Sequence, residues 1–493
     1  MNPFASRRKQ VIALLIIIIA GLSGKLVAQV NYSTEVLERI TKVENNLGSW
    51  YRIEGEKPFN ILERLKFHNI PAVSIAVVNN YKIDWVKAYG IADVASKTPA
   101  NIQTLFQAAS ISKSLNGVGA MKLVQAKKVD LNTDINIYLN SWKFPYDSAS
   151  GNKKITLVNL LSHSAGLTVH GFPGYEVTDT IPTVYQVLDG KSPANTKPVR
   201  SQFAPATRVQ YSGGGTTISQ VLISDVSKKP YQQYMYEEVL APLGMTSSFY
   251  DQPAPAGKRA MLATGYKFNG SEIKGKYHIY PEQAAAGLWT NPTDLAKYII
   301  ETQLSYLGKS SKVLSPETTR LRLTPVVNKE AALGAFIMTK GNATYFQHGG
   351  ANEGFRCQYF GDIENGNGVV VMVNSDNGAI LNEIINSVAT VYGWKDFYNP
   401  VLKKLTSVGN DALKTYIGKY EMNPGFNITI SLESNQLKAG ATNQPTFDIY
   451  PEAENTFFVK LFDAKLEFLK TGDKVDRLVL HQNGTQSTAK RIE

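Results

Sequence analysis

Strand-like runs lie far apart in this chain, with helix-forming sequence inserted between them, and that order dictates how the fold must close. Residues 72–78 are continuously apolar, Asn79-Asn80 supplies a turn, and 82–89 reads as the partner strand. Strand patterns return only at 333–339, 343–347, 354–360 and 368–374, before a final helical run at 379–392. Between them, residues 110 to about 245 read as helix-rich, broken by Gly/Pro-rich loops around 171–215, and 284–306 read as a further helix. Residues 33–70 carry one or two helices, around 36–40 and 61–65. A sheet closed by distant segments, with a helical subdomain filling the middle, satisfies this order and gives an α/β (α+β) class.

The pattern changes near residue 400. Residues 426–432 and 464–468 alternate apolar and polar, with turns at Asn423-Pro-Gly425 and Thr471-Gly-Asp473. Short strands at this spacing predict a separate all-β domain, a barrel or sandwich, over 409–493. Residues 399–408 are then a linker, and 29–398 form the larger domain.

The N-terminus reads as an export signal over residues 1–28. Arg7, Arg8 and Lys9 precede an apolar run at 11–20, too short to span a bilayer comfortably, and small residues follow, with cleavage expected after Ala28. The mature protein is expected to be secreted or periplasmic, with an uncleaved membrane anchor as the alternative. The net charge of +11 includes four basic and no acidic residues in that leader, leaving about +7, scattered singly. This is a solvated surface with mild attraction to an acidic envelope, not a nucleic-acid groove. The six His residues are dispersed and no Gly-rich phosphate loop follows a strand, so no metal and no cofactor are expected. The single Cys357, in an alternating run, is expected to be buried and inert.

Chemistry concentrates at Ser110-Ile-Ser-Lys113. A Ser and a Lys three residues apart on a helix share a face. The amine can take the hydroxyl proton if burial or neighbouring cations keep it neutral, and a helix N-terminus adds a positive field where an oxyanion would form. Ser-x-x-Lys also occurs at Ser6, Ser150, Ser271 and Ser487, but those lie in the leader, a polar loop, a Gly-rich hairpin-like stretch and the C-terminus. Ser110 alone has an upstream strand and a downstream amphipathic run, and its other reading is an ordinary helix N-cap.

Three further stretches follow in order: Ile155-Thr-Leu-Val-Asn-Leu-Leu-Ser-His-Ser-Ala-Gly-Leu167, Tyr211-Ser-Gly-Gly-Gly215, and His348-Gly-Gly-Ala351 opening a strand that bears Asn352-Glu-Gly-Phe355. Together with Ser110-x-x-Lys113 they resemble the class C β-lactamase-like serine hydrolases, a group of β-lactamases, penicillin-binding DD-peptidases, D-aminopeptidases and esterases, over roughly residues 55–395. The tail is similar to the lipocalin-like appendage of many members. The resemblance implies a DD-peptidase/β-lactamase-like fold with an antiparallel sheet flanked by helices. It also implies Ser110 as nucleophile, Lys113 as proton shuttle, Tyr211 as partner base with a phenol pKa lowered by Lys113, and His348 on the third motif's strand. Gly350 would keep that strand close to substrate beside Gly349, and the N–H groups of Ser110 and Ala351 would form an oxyanion hole. His163 would cap or buttress a helix end.

Two departures bear on substrate. The second motif usually ends in Asn, which contacts the substrate amide, but here the position is Gly213. The third carries His348 instead of Lys, a weaker holder of a carboxylate near neutral pH. An ester or a D-residue-containing peptide or amide is therefore expected as substrate, ahead of efficient β-lactam turnover. A catalytically silent binder of cell-wall peptide or β-lactam is the competing reading. No Gly-x-Ser-x-Gly elbow exists, which excludes the usual α/β-hydrolase arrangement.

Overall fold

A computed structural model of the protein describes residues 31–48, 51–442, 444, 446–460, 462–482 and 484–493. The leader expected over 1–28 lies outside them. The core is a seven-stranded antiparallel sheet. Its strands in chain order are β1 (Ala72–Asn79), β2 (Lys82–Asp93), β3 (Thr98–Pro99), β4 (Phe336–Lys340), β5 (Ala343–Asn352), β6 (Phe355–Asp362) and β7 (Gly368–Val373). In space they run β3-β2-β1-β7-β6-β5-β4, so the sheet closes where β1 meets β7, with Ile75 opposite Val371.

The apolar run of β1 is continuous because both faces of the sheet are covered. Val73, Ile75 and Val77 pack with Val369, Val371 and Val373 under the Thr34–Glu44 and Ala379–Val391 helices. Ala76 and Val78 face the other way with Val370 and Met372, into the large core shared with the Ser112–Gln125 and Pro292–Tyr306 helices. Alternation along the strand thus assigns successive side chains to two cores.

Several boundaries differ from the sequence expectation. The helix expected over 284–306 is two: a short one at Gln283–Ala286, then Trp289–Thr290 pairing with Phe106–Gln107, then Pro292–Tyr306. Asn291 caps the longer helix by accepting from Asp294 N at 2.9 Å, and Pro292 sits at its first turn, where a missing N–H costs nothing. β4 starts at Phe336, not 333, because Leu333-Gly334 folds across the Ser112–Gln125 helix: Gly334 has φ +87°, and a Cβ on Gly117 would lie 2.6 Å from Leu333 O. His348-Gly-Gly-Ala351 does not open a strand. It lies in the second half of β5, and Glu353-Gly354, with φ +79° at Gly354, turns the chain into β6.

The C-terminal domain is a closed eight-stranded barrel, which decides between the barrel and sandwich expected there. Its strands are β8 (Gly418–Asn423), β9 (Phe426–Glu433), β10 (Gln436–Ala441), β11 (Phe447–Pro451), β12 (Thr456–Val459), β13 (Ala464–Thr471), β14 (Lys474–Gln482) and β15 (Thr485–Arg491). A short helix, Asn410–Thr415, precedes it. The segment expected as a linker is partly structured: Val401–Lys403 pairs in parallel with Tyr51–Ile53. That ribbon joins the domains, with Tyr51 N donating to Lys460 O at 3.3 Å and Lys460 Nζ paired with Glu56 at 2.6 Å.

Candidate active site

Ser110 sits in a single 3₁₀ turn, Ala109–Ile111, that leads from the Phe106–Gln107 strand into the Ser112–Gln125 helix. The turn is tight: Ala109 has φ +47°, a left-handed conformation rarely adopted by a residue with a Cβ. Ser112 Oγ fixes it by donating to Ala109 O at 2.5 Å while accepting from Leu288 N at 3.0 Å. Ser110 is not the helix cap; that position is Ile111, without a side-chain bond. Its Oγ instead accepts from Lys113 Nζ at 3.0 Å, one turn along, and remains partly exposed.

Lys113 is 4% exposed, and its amine also donates to Ala285 O at 2.7 Å. The short Gln283–Ala286 helix therefore aims the amine back at Ser110. The amine also lies over the Tyr211 ring, with Nζ 5.0 Å from its centroid. Three further rings hold Tyr211. His163 lies at 4.4 Å between centroids, His348 at 6.2 Å and Phe336 at 6.3 Å. Ser110, Lys113, Tyr211 and His348, dispersed in sequence, thus form one connected cluster.

His163 is buried at φ +57°, just after the Leu157–Leu161 helix. Its Nδ1 accepts from Ser212 N at 3.3 Å, and Ser212 in turn caps the Gly213–Ser227 helix through Gly215 N at 2.9 Å. The helix end expected for it is thus the start of the distant Gly213–Ser227 helix, not the end of its own, and its ring also lies against Tyr211, which sequence spacing did not reveal. Burial, reinforced by the Lys113 charge, keeps its imidazole well below the ordinary His range. His348 is 3% exposed; burial, then Lys113, pushes it down to about 3, against the opposing pull of the Gly349 carbonyl. That carbonyl can only accept, so Nδ1 donates to it at 2.6 Å, and the buried Nε2 is left without a hydrogen-bond partner.

The glycines have steric reasons. A Cβ on Gly350 would lie 2.3 Å from Ala108 O and 2.5 Å from Cys357 Sγ, so only glycine lets β5 pass against the turn that carries Ser110. Gly350 thereby brings the next residue, Ala351, beside that turn. A Cβ on Gly349 would meet Gln358 Oε1 at 2.6 Å. Gly213 is the first residue of its helix, and a Cβ there would meet the Phe172 ring at 2.8 Å and His170 O at 3.3 Å. The Asn usual at this place is thus replaced by space that Phe172 occupies. Cys357 is buried with Sγ 3.2 Å from Ala108 O, and burial pushes its thiol far up, as an inert thiol requires.

Behind the cluster, Asn352 Nδ2 donates to Gln107 Oε1 at 2.8 Å and Ala286 O at 3.1 Å, tying β5 to both segments that position Ser110 and Lys113. Glu282, at the start of the short helix, is fully buried with neither carboxylate oxygen partnered, and burial raises it to about 8. Sequence pattern gave no sign of it. Among the described residues no group of three or more His, Cys, Asp or Glu is placed to hold a metal, and no helix is long and apolar enough to cross a membrane.

Comparison with known proteins agrees with this architecture. The Beta-lactamase family matches residues 60–386, and a domain of unknown function (DUF3471) matches 402–491. Protein flp of Staphylococcus aureus (strain N315) is 24% identical over 359 residues, 69% of each chain. The octameric penicillin-binding protein homologue from Pyrococcus abyssi superposes with a TM-score of 0.60 at 19% identity, covering 87% of this chain and 98% of that one. SurE, solved with D-Leu, does so with a TM-score of 0.51 at 17% identity, covering 87% and 97%. With its antiparallel sheet, its helical subdomain and two thirds of its length matched, this chain belongs to the Beta-lactamase family.

Proposed function

We propose that the protein is an exported serine hydrolase that works through an acyl-Ser110 intermediate on an ester or a D-residue-containing peptide or amide. The observation that carries this reading is the amine of Lys113, buried and held by Ala285 O, in hydrogen-bond contact with Ser110 Oγ beneath the Tyr211 ring. Lys113 takes the proton as Ser110 Oγ attacks the substrate carbonyl carbon. The carbonyl oxygen becomes an oxyanion facing the N–H groups of Ser110 and Ala351, at the positive start of the Ser112–Gln125 helix. Tyr211, whose ring lies over the amine, relays that proton to the leaving group as the carbon–heteroatom bond breaks. Water, deprotonated by the same pair, then releases the acid and restores the Ser110 hydroxyl.

The uncharged His348 and the side-chain-free Gly213 support a substrate without a carboxylate beside the scissile bond. SurE, which shares the fold, was solved with D-Leu, and this favours trying D-residue substrates. The occupied space at Gly213 also favours a second reading, a silent binder of cell-wall peptide or β-lactam. Steady-state assays on p-nitrophenyl acetate, p-nitrophenyl butyrate, D-Leu and L-Leu p-nitroanilides and nitrocefin separate these readings. Multiple turnovers of an ester or D-amide that vanish in Ser110→Ala, with slow or absent nitrocefin hydrolysis, support the hydrolase. A stoichiometric burst without turnover supports the binder, and rapid nitrocefin hydrolysis contradicts the substrate assignment.

A further inference from the structure

The barrel is filled at one end and hollow at the other. Tyr416, Tyr420, Phe457 and Phe468 pack together across the end nearest the Asn410–Thr415 helix, with Tyr416 and Phe468 rings stacked 4.5 Å apart, Tyr420 and Phe457 edge-on to Phe468, and Tyr420 OH donating to Tyr416 O at 2.8 Å. Towards the opposite end the inward positions shrink to Ala439, Ala441 and Ala464, and a cavity of about 260 Å³ remains inside the barrel. An eight-stranded barrel has just enough interior either to be filled by side chains or to hold one small ligand. Here each outcome occupies one half.

The hollow half is lined by apolar groups such as Ile428, Val459, Leu466 and Leu480, while Gln482, Thr485 and Ser487 bring amide and hydroxyl groups to it. Its mouth opens beside Phe447 and Phe462, whose rings meet edge-on at 5.4 Å. Those two residues and Gln444 also line a groove of about 830 Å³ between the barrel and the Ile61–Phe67 helix of the larger domain. The cations of that groove are already neutralised: Arg64 by Glu383 at 2.5 Å, Lys438 by Asp448 at 2.9 Å and Lys460 by Glu56 at 2.6 Å.

We propose that the barrel is a binding site for an uncharged single-chain amphiphile, its straight aliphatic tail in the hollow half and its alcohol, ester or amide head at the polar mouth. A buried apolar cavity of about 150 Å³ admits a benzene-sized ligand, so this one admits a tail of about eight to ten carbons. The paired cations leave a carboxylate or phosphate head without a free partner in the groove, and desolvating such a head without one is costly. This site is separate from the Ser110 cluster and stands or falls independently of the acyl-enzyme reading.

The test uses the full chain, with N-phenyl-1-naphthylamine as an uncharged reporter displaced by 1-hexanol, 1-octanol, 1-decanol and decanoate. One saturable reporter site per chain is expected. Displacement should tighten by about fourfold per methylene up to decanol, the transfer gain of one CH₂, and decanoate should compete at least tenfold more weakly at pH 7. Ala439→Leu and Ala464→Leu, which fill the hollow half, should each weaken decanol tenfold or more with a retained melting transition. All five Trp of the chain lie before residue 418, so Phe447→Trp, an aromatic exchange at the mouth that leaves the hollow half open, provides a second readout: its emission minus that of the wild type should shift blue with decanol. Ser110→Ala should bind decanol unchanged. No saturable binding, undiminished binding in both folded Leu variants, unchanged difference emission of the Phe447→Trp variant with decanol, equal affinity for decanoate, or loss of binding in Ser110→Ala would each overturn the proposal.

Discussion

The imidazole of His163 lies 4.4 Å from the phenol ring of Tyr211, and its Nδ1 receives the N–H of the very next residue, Ser212. Tyr211 is therefore aimed by a neutral, buried side chain whose own hydrogen bond goes to the backbone beside it. The conformation is strained, with φ +57° at His163, and such strain persists only where the surroundings impose it.

This makes His163 a positioning residue with a separable signature. His163→Ala should lower kcat for short esters by about 10- to 100-fold, the scale of a small misplacement of a reacting group, with KM changed less than about threefold. His163→Phe keeps a ring against Tyr211 and should recover part of kcat, while the orphaned Ser212 N–H lowers stability by about 1–3 kcal/mol. Equal loss of kcat in both variants, or an effect on KM alone, would count against a role in aiming Tyr211.

His348 should contribute no ionisation to catalysis above about pH 4. Its folded pKa of about 3 lies below the ordinary value of 6.5, so between those limits the unfolded chain binds a proton that the folded protein does not. Stability attributable to His348 is thus complete above about pH 6.5 and is lost on acidification toward 3. His348→Gln should flatten that acid limb in pH-dependent melting, and kcat/KM of the wild type should show no inflection near 6.5. An inflection there that disappears in His348→Gln would show the imidazole titrating in the free enzyme.

Glu282 runs the opposite way. Its folded pKa of about 8 exceeds the 4.5 of a free carboxyl, so the folded protein holds a proton that the unfolded chain releases above pH 4.5. Stability should fall as pH rises from about 4.5 to 8, by about 1.4 kcal/mol per pH unit for this group, and level off above. Glu282→Gln should remove that slope and melt higher than the wild type at pH 8. A lower melting temperature for the variant at that pH would mean that the carboxylate has a native partner.

Much of this architecture was legible because it rests on local order. The continuous apolar run of residues 72–78, the Ser110–Lys113 spacing and the ordered Tyr211 and His348 motifs all depend on near neighbours in sequence. What was not legible depends on distant partners. The aim of Lys113 comes from Ala285 O, and the need for Gly350 comes from Ala108 O. The Val401–Lys403 strand exists only because Tyr51–Ile53 lies beside it. Glu282 carries no pattern at all, since a buried unpaired carboxyl looks in sequence like any surface Glu.

Gly213 and Phe172 should be energetically coupled. Gly213→Asn forces a Cβ to within 2.8 Å of the Phe172 ring, and such overpacking should destabilise by about 1–3 kcal/mol. Phe172→Ala opens the same space, so the double variant should be more stable than the sum of the two single changes requires. Additive effects measured by denaturant melts would show that the ring swings away freely.

The central claim is that Lys113 makes the Ser110 oxygen a nucleophile, and its most direct measurement is intact-protein and peptide mass spectrometry after exposure to an alkyl fluorophosphonate. One phosphonyl adduct on the peptide bearing Ser110 is expected, absent in Ser110→Ala and slowed by about 100-fold or more in Lys113→Ala, the scale of losing a positioned base. Labelling at another residue, or labelling at Ser110 that is equally fast without the Lys113 amine, would contradict the account.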